Sequence, residues 1–95
     1  MAKLSEDEVR DGLAALTGWR REGDEIVRGL ECETFPAAIA LVGRIADLAE
    51  AADHHPDIDI RYTRLRVALT THDEGGLTQL DLDLAARIDA AAEGG

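Results

Sequence analysis

The chain has 95 residues, of which 45% are hydrophobic and 32% are charged, and its formal net charge is −10. This length allows one small domain with a limited core, and the composition is that of a folded protein. The acidic balance disfavours nucleic-acid binding, which needs clustered Lys and Arg; we interpret the weak cluster at Arg61, Arg64 and Arg66 as a solvated strand face. The apolar runs are too short to span a bilayer and residues 1–8 carry no apolar signal region, so we expect a cytoplasmic protein without membrane contact.

The first part of the chain predicts a short amphipathic helix followed by a hairpin. Ser5 can cap the helix and Glu8 can complete a capping box. Residues 18–33 then form two strand-like arms around a turn at Gly23, with Trp19 in the first arm. The only cysteine, Cys32, cannot form an internal disulfide, and we interpret it as a small buried side chain.

A second helix is predicted to begin at Thr34 and to be ended by Pro56, which disfavours helical geometry at the preceding residue. Its main apolar face comprises Phe35, Ala38, Ile39, Val42, Ile45, Ala46, Ala49 and Ala52. Leu41 and Leu48 lie off that face, and a helix that is apolar on two sides is usually buried on two sides. In so small a protein we expect the second side to be a subunit contact.

Two strands and a third helix complete the predicted order. Apolar residues alternate over 58–62 and again over 65–69, and Thr78 can cap the last helix with Asp81 at the capping-box position. The order is therefore α-β-β-α-β-β-α. It predicts a single α+β domain, residues 1–95, with a four-stranded antiparallel sheet and three helices on one face.

Three histidines are the candidates for chemistry. His54 and His55 follow the second helix and His72 follows the fourth strand, so they can converge on one pocket. Imidazole suits proton transfer near neutral pH. No serine or cysteine stands next to a base, which disfavours nucleophilic catalysis. Two alternatives remain open: a zinc site built from Asp53, His54 and His72, and a purely structural role for His54 and His55 at the helix C-terminus.

Fixed spacings link these histidines to acidic and aromatic residues. They run Glu50-x3-His54-His55-Pro56-x5-Tyr62-x9-His72-x8-Asp81. Together with Gly18-Trp19 ahead of the hairpin and the segment 69–73, this pattern resembles the signature of the pterin-4a-carbinolamine dehydratase family, over roughly residues 17–90. Departures lie in the apolar detail, at Leu30, Cys32 and the 57–58 segment, where family members often carry aromatics.

The resemblance implies a hydro-lyase that removes water from 4a-hydroxytetrahydropterin, gives quinonoid dihydropterin and so recycles the tetrahydropterin cofactor. It implies catalytic roles for His54, His55 and His72 and substrate-binding roles for Trp19, Asp81 and Thr71. It implies no metal and no cofactor. With the two-sided second helix, it predicts a homodimer or homotetramer whose partner is a small pterin. Some relatives of this fold are assembly factors or transcription cofactors, so a non-catalytic protein-binding role is the alternative.

Overall fold

The computed structural model describes residues 2–94; Met1 and Gly95, the ends of the predicted 1–95 domain, lie outside the described residues. Three helices and four strands follow one another in the predicted order. They are α1 Glu6–Ala14, β1 Arg20–Glu22, β2 Glu25–Glu31, α2 Phe35–Ala52, β3 Asp57–Arg61, β4 Arg64–Leu69 and α3 Gln79–Gly94. A 3-10 turn, His72–Glu74, lies between β4 and α3. Within residues 2–94 no helix combines the length and the apolar character that crossing a membrane requires.

The four strands form one antiparallel sheet in the order β1-β2-β4-β3, which confirms the predicted fold class. Both hairpins close with two-residue turns that need a left-handed backbone. Gly23 supplies it in the first turn at φ 63°, and Tyr62 supplies it in the second at φ 55°. Glycine adopts this conformation without steric cost, whereas tyrosine does so less readily. These two turns place β2 and β4 at the centre of the sheet, with β1 and β3 at its edges.

The core lies between one face of the sheet and the three helices. Strand residues alternate, so the side chains of Ile26, Leu30, Leu65, Val67 and Leu69 point to the same side. From the helices, Val9 of α1, three residues of α2 (Ala38, Leu41 and Ile45) and the α3 residues Leu82, Leu84, Ala85 and Ile88 join them. Burial of each large aliphatic side chain contributes about 1.5–3 kcal/mol, so this layer holds α2 and α3 in fixed positions over the sheet.

The other face of the sheet is polar at its edges, as predicted. Val27 and Ala68 are buried at its centre, and charged side chains surround them. Arg66 on β4 donates to Glu22 on β1 at 2.9 Å, and Arg20 donates to the same carboxylate. The Arg20 hydrogen bond, helped by the charges of both arginines, lowers the pKa of Glu22.

The ends of the helices follow from local sequence. Ser5 and Glu8 form the predicted capping box at α1, and the Thr34 hydroxyl accepts the Ala37 backbone N–H at α2. Helix α2 ends at Ala52, and Asp53 follows with a left-handed backbone, φ 50° and ψ 43°. The Asp53 and His54 backbone N–H groups both bond back to the last turn of the helix, so the chain leaves α2 along a defined path.

The predicted inward face of α2 was wrong in part: it included Ala38, Ile45 and Ala49, which are buried, but left out Leu41. The buried residues are Ala38, Leu41, Ile45 and Ala49, whereas Phe35 and Ile39 remain over 40% exposed. Leu41 therefore belongs to the core of the chain itself, and Leu48 also packs against that core. Because α2 is apolar around most of its circumference, periodicity alone did not determine which stripe faces the sheet; the packing did.

Candidate active site at the ends of helix α2 and strand β4

His54 and Asp81 form the centre of the candidate site. His54 follows the C-terminus of α2, and Asp81 lies in the first turn of α3. The His54 Nε2 atom lies 2.5 Å from Asp81 Oδ1. Asp81 is fully buried and the His54 side chain is 10% exposed. Solvent therefore screens this imidazole–carboxylate contact little.

Asp81 is held from its other side by two threonines. Its Oδ2 atom accepts the Thr71 hydroxyl at 2.8 Å and the Thr78 backbone N–H at 2.9 Å. Both threonines are buried. Thr71 comes from the end of β4 and Thr78 precedes α3, so three chain segments converge on one carboxylate. A carboxylate that accepts several hydrogen bonds in a buried place is fixed in orientation.

The Nδ1 atom of His54 faces the solvent. Among residues 2–94, no buried side-chain nitrogen or oxygen lacks a hydrogen-bond partner. The only side-chain contact described for His54 is the one that Nε2 makes with Asp81. The small exposed part of the ring therefore includes Nδ1. This atom can exchange a proton with a molecule bound at the surface.

His55 faces a different environment from its neighbour. Its Nε2 atom contacts the Glu50 carboxylate one turn back on α2, and the two side chains are 56% and 76% exposed. Glu50, the first residue of the spacing motif, is thus a partner of a predicted catalytic histidine. The carboxylate can orient the imidazole, although an exposed pair of this kind adds only about 0–1 kcal/mol to stability.

His72 lies on the surface immediately after Thr71, at the start of the 3-10 turn. Its backbone carbonyl accepts the Gly75 N–H, and a bridge between Thr71 and Gly76 closes the loop. The structure therefore connects His72 to His54 through Thr71 and Asp81. Catalytic roles for the three histidines remain a prediction.

Trp19 is buried in the core, 5% exposed, and points to a different part of α3. Its indole N–H donates to Asp89 at 2.8 Å, and Arg28 pairs with the same carboxylate. Asp89 lies two helical turns beyond Asp81, roughly 12 Å along the axis at 1.5 Å per residue. The structure thus gives Trp19 a packing role, and its predicted substrate contact stays a prediction.

The zinc alternative can be compared with the arrangement of possible ligands among residues 2–94. No group of three or more His, Cys, Asp or Glu side chains there is arranged to hold a metal ion. In the zinc alternative, His54 would contribute beside Asp53 and His72, but its Nε2 atom is already committed to Asp81.

Comparison with known proteins identifies the family. The family model described as Pterin 4 alpha carbinolamine dehydratase matches residues 2–91. The chain belongs to this family. The resemblance seen in the spaced histidine motif is therefore confirmed, and the buried His54–Asp81 pair lies within the matched region.

Relatives match this dehydratase-family chain over nearly its whole length. A Chloroflexus aurantiacus protein with a provisional pterin-4-alpha-carbinolamine dehydratase name is 60% identical over 89 residues, 94% of this chain and 96% of the relative. A Nocardia farcinica protein with the same provisional name is 53% identical over 89 residues, 94% of each chain.

Two solved structures share the fold. The first, described as a transcriptional coactivator/pterin dehydratase from Brucella melitensis, has a TM-score of 0.91 and 36% identity, covering 95% of this chain and 98% of that one. The second is described as a pterin dehydratase-like RuBisCO assembly factor of the alpha-carboxysome. It has a TM-score of 0.68 and 24% identity, covering 79% of this chain and 89% of that one, and it supports the fold alone.

Sequence reasoning missed two features of the site. Thr78 and Asp81 were predicted only as a capping box, which accounts for the bond from the Thr78 backbone N–H to Asp81, but the Thr78 hydroxyl also bonds Thr71 within the network around Asp81. The burial of Asp81 beside His54 was not predicted, and the substrate-binding role expected for Asp81 stays a prediction. The Thr78-x2-Asp81 spacing was the available signal for the first feature. No local pattern indicated that α2 ends against the start of α3.

Proposed function

We propose that the chain is a hydro-lyase that removes water from a 4a-hydroxytetrahydropterin and gives quinonoid dihydropterin. The proposal is carried by one observation: the buried contact between His54 and Asp81 in a member of the pterin 4 alpha carbinolamine dehydratase family. An imidazole held by a buried carboxylate and open on its other nitrogen is suited to general acid–base catalysis.

The reaction needs two proton transfers. The C4a–O bond breaks as the hydroxyl leaves with a proton to form water, and the N5 proton departs so that the C4a–N5 double bond can form. His54, with Nδ1 at the surface, supplies one proton carrier. The exposed rings of His55, the residue after His54, and of His72, the residue after Thr71, supply the others. No metal or redox cofactor takes part in this scheme.

Dehydration of a 4a-hydroxytetrahydropterin generated in situ tests the proposal. The absorbance of quinonoid dihydropterin is followed with and without protein, and the uncatalysed rate is subtracted because spontaneous dehydration is appreciable. We expect a rate above the control that survives a chelator. Absence of any increase with folded protein would contradict the enzyme proposal, and loss of activity on chelation would favour the zinc alternative.

We further propose that the chain assembles as a homodimer or homotetramer. Among residues 2–94, four large apolar side chains remain exposed, namely Phe35, Ile39, Ile60 and Tyr62, and we call them the apolar patch. The rings of Phe35 and Tyr62 stack with centroids 6.4 Å apart. The patch adjoins β3, an edge strand whose outer backbone groups have no strand partner among residues 2–94. Such a surface is typical of protein contacts.

The same patch supports the alternative function, a protein-binding role without catalysis. A solved relative at 36% identity is described as both a coactivator and a pterin dehydratase. Binding of a reduced-pterin analogue separates the two roles, because a protein-binding factor needs no pterin affinity. The cytoplasmic location expected from the sequence stays a prediction.

A further inference from the structure

A pair of buried threonine hydroxyls lies behind the Asp81 carboxylate. The Oγ1 atoms of Thr71 and Thr78 are 2.8 Å apart, and Thr78 is fully buried. Thr71 also donates to Asp81 Oδ2, and the Leu80 backbone N–H approaches the Thr78 hydroxyl oxygen at 3.2 Å. Helix capping explains the contact between the Leu80 backbone N–H and the Thr78 hydroxyl. It does not account for Thr71, which comes from the end of β4.

The proton positions in this network follow from counting donors. Each hydroxyl has one proton to donate. Thr71 gives its proton to Asp81, so the hydrogen bond between the two hydroxyls must be donated by Thr78. The chain of donors therefore runs from Leu80 through Thr78 and Thr71 to Asp81, and each bond polarises the next.

We propose that Thr71 and Thr78 are positioning residues that set the tautomer of His54. The Thr71 hydroxyl and the Thr78 backbone N–H both donate to Asp81 Oδ2, which leaves Oδ1 to face the imidazole. A carboxylate oxygen at 2.5 Å requires a proton on Nε2, so the neutral ring has an unprotonated Nδ1 at the surface. The structure thus assigns proton acceptance to Nδ1 of His54. Thr71 acts through Asp81, because its only proton is already donated.

The expected effect of Thr71 on the dehydration rate rests on the proposed dehydratase function, whereas the expected tautomer of His54 does not. Thr71→Val removes the hydroxyl with little change in shape, and Thr71→Ser restores it. Thr70→Val is the matched control: the neighbouring Thr70 hydroxyl donates to the Asp24 carbonyl at 2.6 Å, outside the Asp81 network. Both residues lie just beyond β4: Thr71→Val loses the side-chain hydrogen bonds with Asp81 and Thr78, and Thr70→Val loses the one to the Asp24 carbonyl.

We expect Thr71→Val to lower kcat roughly tenfold with little change in KM, the effect of losing one hydrogen bond that orients a reacting group. Thr71→Ser and Thr70→Val should keep a kcat close to wild type. Equal losses of kcat in Thr71→Val and Thr70→Val, or an effect confined to KM, would overturn the proposal. The second result would indicate a direct substrate contact.

Nitrogen-15 spectra of the histidine rings, recorded where the imidazoles are neutral, provide a readout that does not depend on turnover. We expect wild-type His54 to be protonated on Nε2, with a larger Nδ1-protonated share in Thr71→Val. A wild-type ring protonated on Nδ1 would overturn the proposal. If the protein shows no dehydratase activity, the spectra still decide the tautomer, so failure of the two proposals can be told apart.

Discussion

His54 and Asp81 are 27 residues apart in sequence, yet their imidazole and carboxylate lie 2.5 Å apart in a buried environment. The contact forms only because the C-terminal end of α2 meets the N-terminal turn of α3. Asp81 therefore meets His54 only through the packing of these two helices, whereas its contact with the Thr78 backbone N–H is local. The first test of the site is to alter this carboxylate alone.

Asp81→Asn keeps the size of the side chain but replaces one acceptor oxygen by a donor. Either His54 or the threonine donors then face an amide NH₂ group, so we expect the dehydration rate to fall about 10²–10⁴-fold, as for loss of a general acid–base group. Asp83→Asn is the control, because Asp83 is exposed on the same helix and its carboxylate accepts a hydrogen bond from Gln79, outside the network around Asp81. A folded Asp81→Asn protein with the wild-type rate would contradict this assignment.

His72→Ala separates catalysis from stability. The His72 side chain is exposed, so its removal should change the free energy of unfolding by less than about 0.5 kcal/mol. The rate should nevertheless fall about 10²–10⁴-fold if the imidazole transfers a proton. Urea denaturation and the dehydration assay measure the two effects, and Asp73→Ala on the same exposed turn serves as the control. An unchanged rate would remove His72 from the site.

Much of the fold could be predicted because its signals are local. The capping residues Ser5 and Thr34, the Gly23 turn and the alternation along β4 each involve side chains within a few residues of the backbone they control. The inward stripe of α2 could not be predicted, because that helix is apolar on most sides. Leu41 was assigned to the outside, whereas contact with the sheet buries it.

The candidate site, like the fold, could be predicted only in part from the sequence. The spacing motif brought His54, Asp81 and Thr71 into one set, and the structure joins all three by hydrogen bonds. The motif did not indicate which of them are buried, because burial depends on how helices from distant parts of the chain pack. Trp19 illustrates the limit: its partner Asp89 is 70 residues away, and no local pattern connects them.

Glu22→Gln tests the polar face of the sheet. The hydrogen bond from Arg20 lowers the pKa of the Glu22 carboxyl in the folded protein, below the value of 4.5 for a free side chain. Such a group contributes stability above its unfolded pKa, and the contribution is lost as the pH falls through the folded pKa. We expect the variant to be slightly less stable than wild type at neutral pH. The difference should shrink and vanish as the pH falls below 4.5. Urea midpoints against pH measure it, and a pH-independent difference would contradict the assignment.

Assembly through the apolar patch has a direct test. Light scattering should give two or four times the monomer mass of 10.2 kDa. Phe35→Ser should shift the protein towards monomer, because it removes one ring of the exposed Phe35–Tyr62 stack from the apolar patch. Glu33→Ser, an exposed change in the same segment, should not. A wild-type monomer at micromolar concentration would contradict the predicted oligomer.

Beyond the left-handed residue Asp53, two adjacent imidazoles lie in unlike surroundings, and ionic strength should therefore act on them unequally. His54 meets its carboxylate inside the protein, where dissolved ions do not reach. His55 meets Glu50 in water, where added salt shortens the Debye length from about 10 Å at 0.1 M to about 3 Å at 1 M. Salt therefore weakens the His55–Glu50 pair and leaves the His54–Asp81 pair intact. The salt dependence of turnover then measures how much the His55–Glu50 pair contributes to the rate.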